Sequence, residues 1–207
     1  MRGRGPVVHL DRTDKAHMIT AVLGDHLRRP VEGYRTLDIG CGNGGISEFL
    51  ARSNQHFAVD IADKRNNKDA RYAFQVVDSE ALPFPDDFFD IVVSHHVIEH
   101  VVDQGLHLDE IHRVLAPAGI AYLATPNRSS PIMEGHVGND RVLRYRDMGP
   151  LFHQHRFKTS EYGVRVVKYA ARFHGEFRHG AWLPLSVLEL MRPLFPSHVF
   201  VLEKARE

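Results

Sequence analysis

Between Asp11 and Arg29 the apolar residues Ile19, Val22, Leu23 and Leu27 fall at helical spacing. That stripe predicts a helix over 11–29, with Asp11 or Thr13 as its cap and Pro30 and Gly33 beyond its end. The pattern then changes. Short apolar runs at 35–39, 56–60, 72–77, 88–94 and 119–125 predict strands, and the intervals between them predict helices. Before the last run, Leu108, Ile111, Val114 and Leu115 share one helical face, which Pro117 and Gly119 terminate. The runs 89–93 and 120–124 are nearly all apolar, as strands buried on both faces are. The alternation predicts an α/β fold: a doubly wound, mostly parallel sheet with helices on both faces.

The rhythm breaks at 126–150, where Pro126, Asn127, Pro131, Gly135 and Gly138 mark a long loop of the kind that often carries function. Beyond it the pattern predicts a helix over 146–155, a strand over 164–169, a helix over 184–192 and a closing strand from His198 to Leu202. No repeat or low-complexity tract divides the 207 residues, so one domain is expected over 1–207. Residues 1–29 would form an N-terminal cap helix, and 126–156 and 175–197 would form inserts on the substrate side. The segment 181–195 is too apolar for an exposed helix. It reads first as core or as a homodimer contact, and second as a lid over an apolar acceptor.

Composition narrows the function. Twenty-six basic residues balance 26 acidic ones, so no global field favours nucleic acid or an anionic membrane. The single cysteine, Cys41, rules out an internal disulfide and suits a reducing compartment. With no stretch of signal-peptide or membrane-spanning type, a cytoplasmic protein is expected. The 15 histidines read mainly as surface residues that make net charge sensitive to mild acid.

The chemistry concentrates at Leu37-Asp38-Ile39-Gly40-Cys41-Gly42-Asn43-Gly44-Gly45. A strand stops at a glycine-dense turn, and Ile46, Phe49 and Leu50 then begin an amphipathic helix. Glycine tolerates positive φ and lacks a Cβ, so a ligand can approach the backbone there. An adenosine-containing cofactor is expected. Gly40, Gly42 and Gly45 fit G-x-G-x-x-G, and Asp60 follows at the distance of a ribose-binding acid, a spacing that NAD and S-adenosylmethionine share. Asp38 would repel a pyrophosphate but suits a sulfonium and an ammonium group. Val76-Val77-Asp78-Ser79 brings another acid to the end of the third strand, and the fourth leads into His95-His96-Val97-Ile98-Glu99-His100. Cys41 reads as a packing residue, since no adjacent histidine or lysine activates it.

Across residues 35–127 this ordered set of motifs resembles the class I S-adenosylmethionine-dependent methyltransferases, in particular the small-molecule branch of quinone-biosynthesis and natural-product enzymes. The resemblance implies a Rossmann-like sheet of seven strands with the last one antiparallel. It implies that Asp38 and the turn residues Gly40, Cys41, Gly42 and Gly44 hold the methionine portion. Asp60 would take the ribose hydroxyls, Ile61 the adenine face, Asp78 the adenine amino group and the Ser79 backbone a ring nitrogen. Ser94 and His95 would line the methyl-transfer centre, and S-adenosylhomocysteine would be the product.

His95, His96 and His100 are candidate bases or positioning groups, because a neutral imidazole can take an acceptor's proton near physiological pH; each also reads as structural. On a helix His96 and His100 would share a face, as a metal pair does, but no further ligands complete a set and no metal is expected. His136, Arg141 and Arg144 are candidate ligands for a carboxylate or phosphate on the acceptor, against the reading of a solvated helix face. The expected activity is methyl transfer to oxygen or nitrogen of a small molecule by in-line displacement. The alternatives are a non-catalytic cofactor-binding or partner subunit of the same fold, and an NAD-dependent oxidoreductase.

Overall fold

The computed structural model describes residues 12–127, 130, 141–162 and 197–205. In chain order its elements are α1 (Arg12–Leu27), β1 (Arg35–Ile39), α2 (Gly45–Leu50), β2 (Gln55–Asp60), β3 (Ala73–Val76), β4 (Phe89–His95), α3 (Gln104–Val114), β5 (Leu115–Pro126), α4 (Tyr145–Gln154), β6 (Phe157–Tyr162) and β7 (Ser197–Lys204). The seven strands form one sheet of order β3-β2-β1-β4-β5-β7-β6. The first five are mutually parallel, and β7 runs antiparallel to β5 and β6. The seven-stranded sheet with its antiparallel last strand is therefore present.

Strand alternation divides the core into two layers. Leu37, Ile39, Val92, Leu123 and Phe200 point to the face covered by α3 and α4, where Leu108, Ile111, Met148 and Phe152 pack. Ile91, Val93, Tyr122, Val199 and Val201 point to the other face, covered by α1 and α2 through Ile19, Leu23, Ile46 and Leu50. Helices thus cover both faces. The helix expected as an N-terminal cap is a core element: Ile19 and Leu23 are fully buried.

Three sequence expectations need correction. Residues 61–72 and 77–88 contain no helix, because neither interval offers an apolar stripe and the second carries Pro83 and Pro85. Without a covering helix β3 remains a largely exposed edge strand, one residue shorter at each end than predicted. The fifth strand starts at Leu115 rather than 119: α3 passes directly into it as Leu115 adopts φ −70, ψ 132 and pairs with Phe89. Its register shifts before Ile120, in the stretch where Ala118 takes φ 63. Finally, β6 at 157–162 reads as polar and was not foreseen; only its pairing with β7 makes it a strand. The expected helix over 146–155 appears one residue earlier as α4. The strand over 164–169, the helix over 184–192, the segment 181–195, the insert 175–197, His136 and the capping group Asp11 lie outside the described residues. Among the described residues no helix is long and apolar enough to cross a membrane.

Strand order reverses between β1 and β4, and ligands of open α/β sheets bind beyond the carboxyl ends of the strands at such a point.

Candidate cofactor and acceptor site

At that reversal β1 ends in the glycine turn. Gly40, Gly42 and Gly44 have φ of 70, 56 and 85. The amides of Gly40 and Cys41 both donate to the Val59 carbonyl, at 2.8 and 3.1 Å, and the Gly42 amide donates to Asp60 Oδ2 at 2.8 Å. A Cβ on Gly40 would lie 2.5 Å from Val97 Cγ2, and one on Gly44 would lie 2.6 Å from the Tyr72 hydroxyl. Positive φ therefore favours glycine at both positions, and a side chain there would have to displace Val97 or Tyr72. Cys41 is buried in the turn.

The carboxylates end neighbouring strands. Asp38 is buried, and its Oδ2 accepts from Ser47 Oγ at 2.6 Å, which ties β1 to α2. Asp60 accepts from Gly42 and, at 3.3 Å, from the Ala62 amide. A carboxylate has about four acceptor positions, so capacity for a ribose diol remains. Beside it Ile61 is 71% exposed, an apolar side chain in solvent at the place expected to meet adenine. Asp78 lies exposed in the loop after β3, its Oδ1 accepting from the Glu80 amide at 3.1 Å. A glycine cradle, spare acceptors on Asp60 and an exposed apolar floor fit an adenosine-bearing ligand.

Two residues absent from the sequence reading fasten this edge together. His107 of α3 is fully buried, with Nε2 3.1 Å from Ser94 Oγ and Nδ1 3.3 Å from the Ser79 carbonyl. Burial lowers its pKa to about 4 and outweighs the upward pull of the Ser79 carbonyl and the nearby carboxylates of Glu80 and Asp78. The signal was available: His107 stands four residues before Ile111, on the apolar face of its helix. Glu80 has no comparable signature. Its Oε1 accepts from the amides of Val102 and Asp103, at 2.6 and 2.9 Å.

Past Ser94 the chain turns sharply. The His95 ring stacks on Tyr122, with centroids 6.1 Å apart, and lies 4.6 Å from the His96 ring. His96 has φ 60, and its amide donates to the Ala124 carbonyl at 2.9 Å. His96 Nε2 is 2.8 Å from Ser197 Oγ, and Nδ1 faces Oε1 of the buried Glu99 at 3.6 Å. The hydroxyl of Thr125 reaches the other Glu99 oxygen at 3.4 Å. His100 is exposed on the following turn. Residues 96–100 are not helical, so His96 and His100 do not share a helix face; the left-handed backbone at His96 prevents it.

Arg141 and Arg144 line an open cavity of about 540 Å³ with Val102, Gln104, Leu143 and Asp147. Arg141 Nη1 donates to the Val101 carbonyl at 2.9 Å, and its own carbonyl accepts from Gln104 Nε2 at 2.7 Å.

A family model described as a methyltransferase domain matches residues 37–123. A ubiquinone biosynthesis O-methyltransferase of Caulobacter sp. (strain K31) is 32% identical over 161 residues, covering 72% of this chain and 64% of the relative. The chain spans less than two thirds of the length of the curated relatives it matches. Among solved structures, the CurJ carbon methyltransferase superposes with a TM-score of 0.65 at 18% identity, over 94% of this chain and 55% of that one. The 1,6-didemethyltoxoflavin-N1-methyltransferase of Burkholderia thailandensis, solved with bound 1,6-didemethyltoxoflavin and S-adenosylhomocysteine, gives 0.63 at 16% identity, over 94% and 79%.

Proposed function

We propose that the chain is a class I S-adenosylmethionine-dependent methyltransferase that methylates an oxygen of a small hydroxylated acceptor, a reading supported by the methyltransferase-domain match over residues 37–123 and by the O-methyltransferase relatives. The observation that carries this reading is the convergence of the Gly40–Gly44 cradle, the partly unused Asp60 carboxylate and the exposed Ile61 and Asp78 at one sheet edge. S-adenosylmethionine, when bound, supplies an electrophilic sulfonium methyl. Asp60 holds the ribose diol with its remaining acceptor positions, Ile61 floors the adenine, and Asp78 and the Ser79 backbone meet its polar edge. The turn residues Gly40, Cys41, Gly42 and Gly44 cradle the methionine portion, with Asp38 supplying negative charge behind them through its tie to Ser47. Ser94 and His95 border the transfer centre.

Of the three candidate histidines, His96 is the base in this reading. With Nδ1–H toward the buried Glu99 carboxylate, Nε2 is the accepting nitrogen and now receives the Ser197 hydroxyl. An acceptor hydroxyl that takes the place of Ser197 gives its proton to Nε2, and Glu99 stabilises the resulting imidazolium. Arg144 of the neighbouring cavity meets an anionic substituent of the acceptor. Oxygen is chosen because curated relatives are named as O-methyltransferases. The lone, buried Cys41 suits the cytoplasm, where we place the protein.

Calorimetry with S-adenosylhomocysteine and with NAD, followed by incubation with methyl-labelled S-adenosylmethionine and a panel of phenols, catechols and quinols, tests the proposal. Binding of the first ligand alone and label in a hydroxylated acceptor are expected. Binding of NAD in its place overturns the reading.

A further inference from the structure

On the basis of that function, we propose that His107 is a positioning residue that registers the adenine-side loop against the end of β4, and so sets how tightly the cofactor's adenosine half is held. The geometry leaves one arrangement of its ring. The Ser79 carbonyl can only accept, so Nδ1 carries the proton and donates to it; Nε2 then accepts from the Ser94 hydroxyl. A single neutral imidazole thus spans from the loop after β3 to the strand that carries the transfer centre. Both of its contacts are buried, where a hydrogen bond resists displacement by water.

Farther along, the loop is fastened to α3: Glu110 accepts from the Leu82 amide at 2.6 Å, and Arg113 donates to the Leu82 and Phe84 carbonyls at 2.9 and 2.7 Å, so His107 acts on the start of the loop. There Asp78 is exposed, the preceding strand is an open edge, and residues 77–88 form no helix of their own. Apart from His107, the loop is tied to the post-β4 segment through Glu80, whose carboxylate takes the Val102 and Asp103 amides. The same segment begins α3: the Asp103 side chain caps it and the Asp103 carbonyl accepts the His107 amide. Loop, strand end and helix start therefore form one closed circuit, in which His107 touches both the loop and β4. Burial, which keeps this ring neutral, preserves the acceptor at Nε2 throughout the physiological pH range.

The test compares full-length wild type with His107→Gln, His107→Asn, His107→Leu, Ser94→Ala and the Ser94→Ala/His107→Leu double variant. Affinities for S-adenosylhomocysteine and for adenosine are read by calorimetry, with thermal denaturation alongside. Asparagine places a donor near the position of Nδ1 and keeps the Ser79 contact, whereas glutamine places its acceptor near Nε2 and keeps only the Ser94 contact. His107→Gln and His107→Leu are expected to weaken both ligands about 10-fold, while His107→Asn stays within about 3-fold of wild type. Ser94→Ala, on a different strand from the loop, is expected to weaken adenosine about 3-fold in the wild-type background and to have no effect in the His107→Leu background. Wild-type adenosine affinity in His107→Gln, or additive effects in the double variant, overturns the brace while leaving the proposed function standing. If His107→Leu fails to fold, the Asn and Gln pair decides. A wild type that binds neither ligand overturns the function, and the brace with it.

Discussion

The amide of Gly42 donates to Asp60 Oδ2 across 2.8 Å, so the residue that ends β2 also shapes the turn that follows β1. A residue in this position affects stability and ligand binding together, and two substitutions separate the effects. Asp60→Asn keeps an oxygen for the Gly42 amide and loses the charge; Asp60→Ala loses both. S-adenosylhomocysteine affinity should fall about 10-fold in the first and about 100-fold in the second, by calorimetry. Only the alanine variant should lose thermal stability. Full affinity in Asp60→Asn would remove Asp60 from the ribose site.

The glycine turn offers a purely steric prediction. Gly40→Ala adds a methyl 2.5 Å from Val97 Cγ2 at φ 70, whereas Gly33→Ala adds one at φ 77 with nothing within 4 Å. The second should cost about 1 kcal/mol for the left-handed backbone alone, and the first about 1–3 kcal/mol more for the overlap. Urea denaturation measures both. Adding Val97→Ala to Gly40→Ala should recover much of the difference; equal costs at the two glycines would show that Val97 does not press on the turn.

Acid should destabilise the protein through two buried histidines. Burial pushes His56 down to about 3 and His107 to about 4, from 6.5 when unfolded. Below the unfolded value the unfolded chain takes up protons that the folded chain refuses, so stability is complete above pH 6.5 and falls toward the folded values. The expected loss is about 1.4 kcal/mol per pH unit per histidine below pH 6.5. Denaturant midpoints between pH 7.5 and 5 read it, and His56→Gln should flatten the slope; an unchanged slope would mean that His56 titrates normally.

The proposed base gives a kinetic prediction. His96→Gln should lower kcat about 100-fold or more with little change in S-adenosylhomocysteine affinity, and should abolish the acidic limb of the kcat profile. Glu99→Gln should retain part of the activity and shift that limb to lower pH, because the imidazolium loses its carboxylate partner. His100→Ala, at an exposed position, should leave kcat within about 2-fold. If His100 rather than His96 controls the limb, the assignment of the base moves to it.

The turn at 40–45, the strand ends at Asp38 and Asp60, and the buried runs of β4 and β5 were legible because each is written locally: glycine where φ is positive, and apolar continuity where both faces are covered. The conditional reading of 96–100 lapses for a related reason. His96 and His100 stand four apart, but that spacing means one face only inside a helix, and the pairing of the His96 amide with Ala124 holds the segment in a turn. β6 escaped detection because an unfilled edge of β7, not its own polar sequence, makes it a strand.

The sequence by itself determined the edge proposed for the cofactor: glycines and acids at the ends of successive strands, in an order that the chain's local periodicities already imply. Tertiary structure alone decided what fixes that edge in place. His107 meets Ser79 and Ser94 across separations of 28 and 13 residues, and Glu80 meets Val102 and Asp103 across 22 and 23. Such contacts arise because the sheet lays distant segments side by side. A hydrogen bond between them depends on where two backbones pass, which no spacing along one segment records.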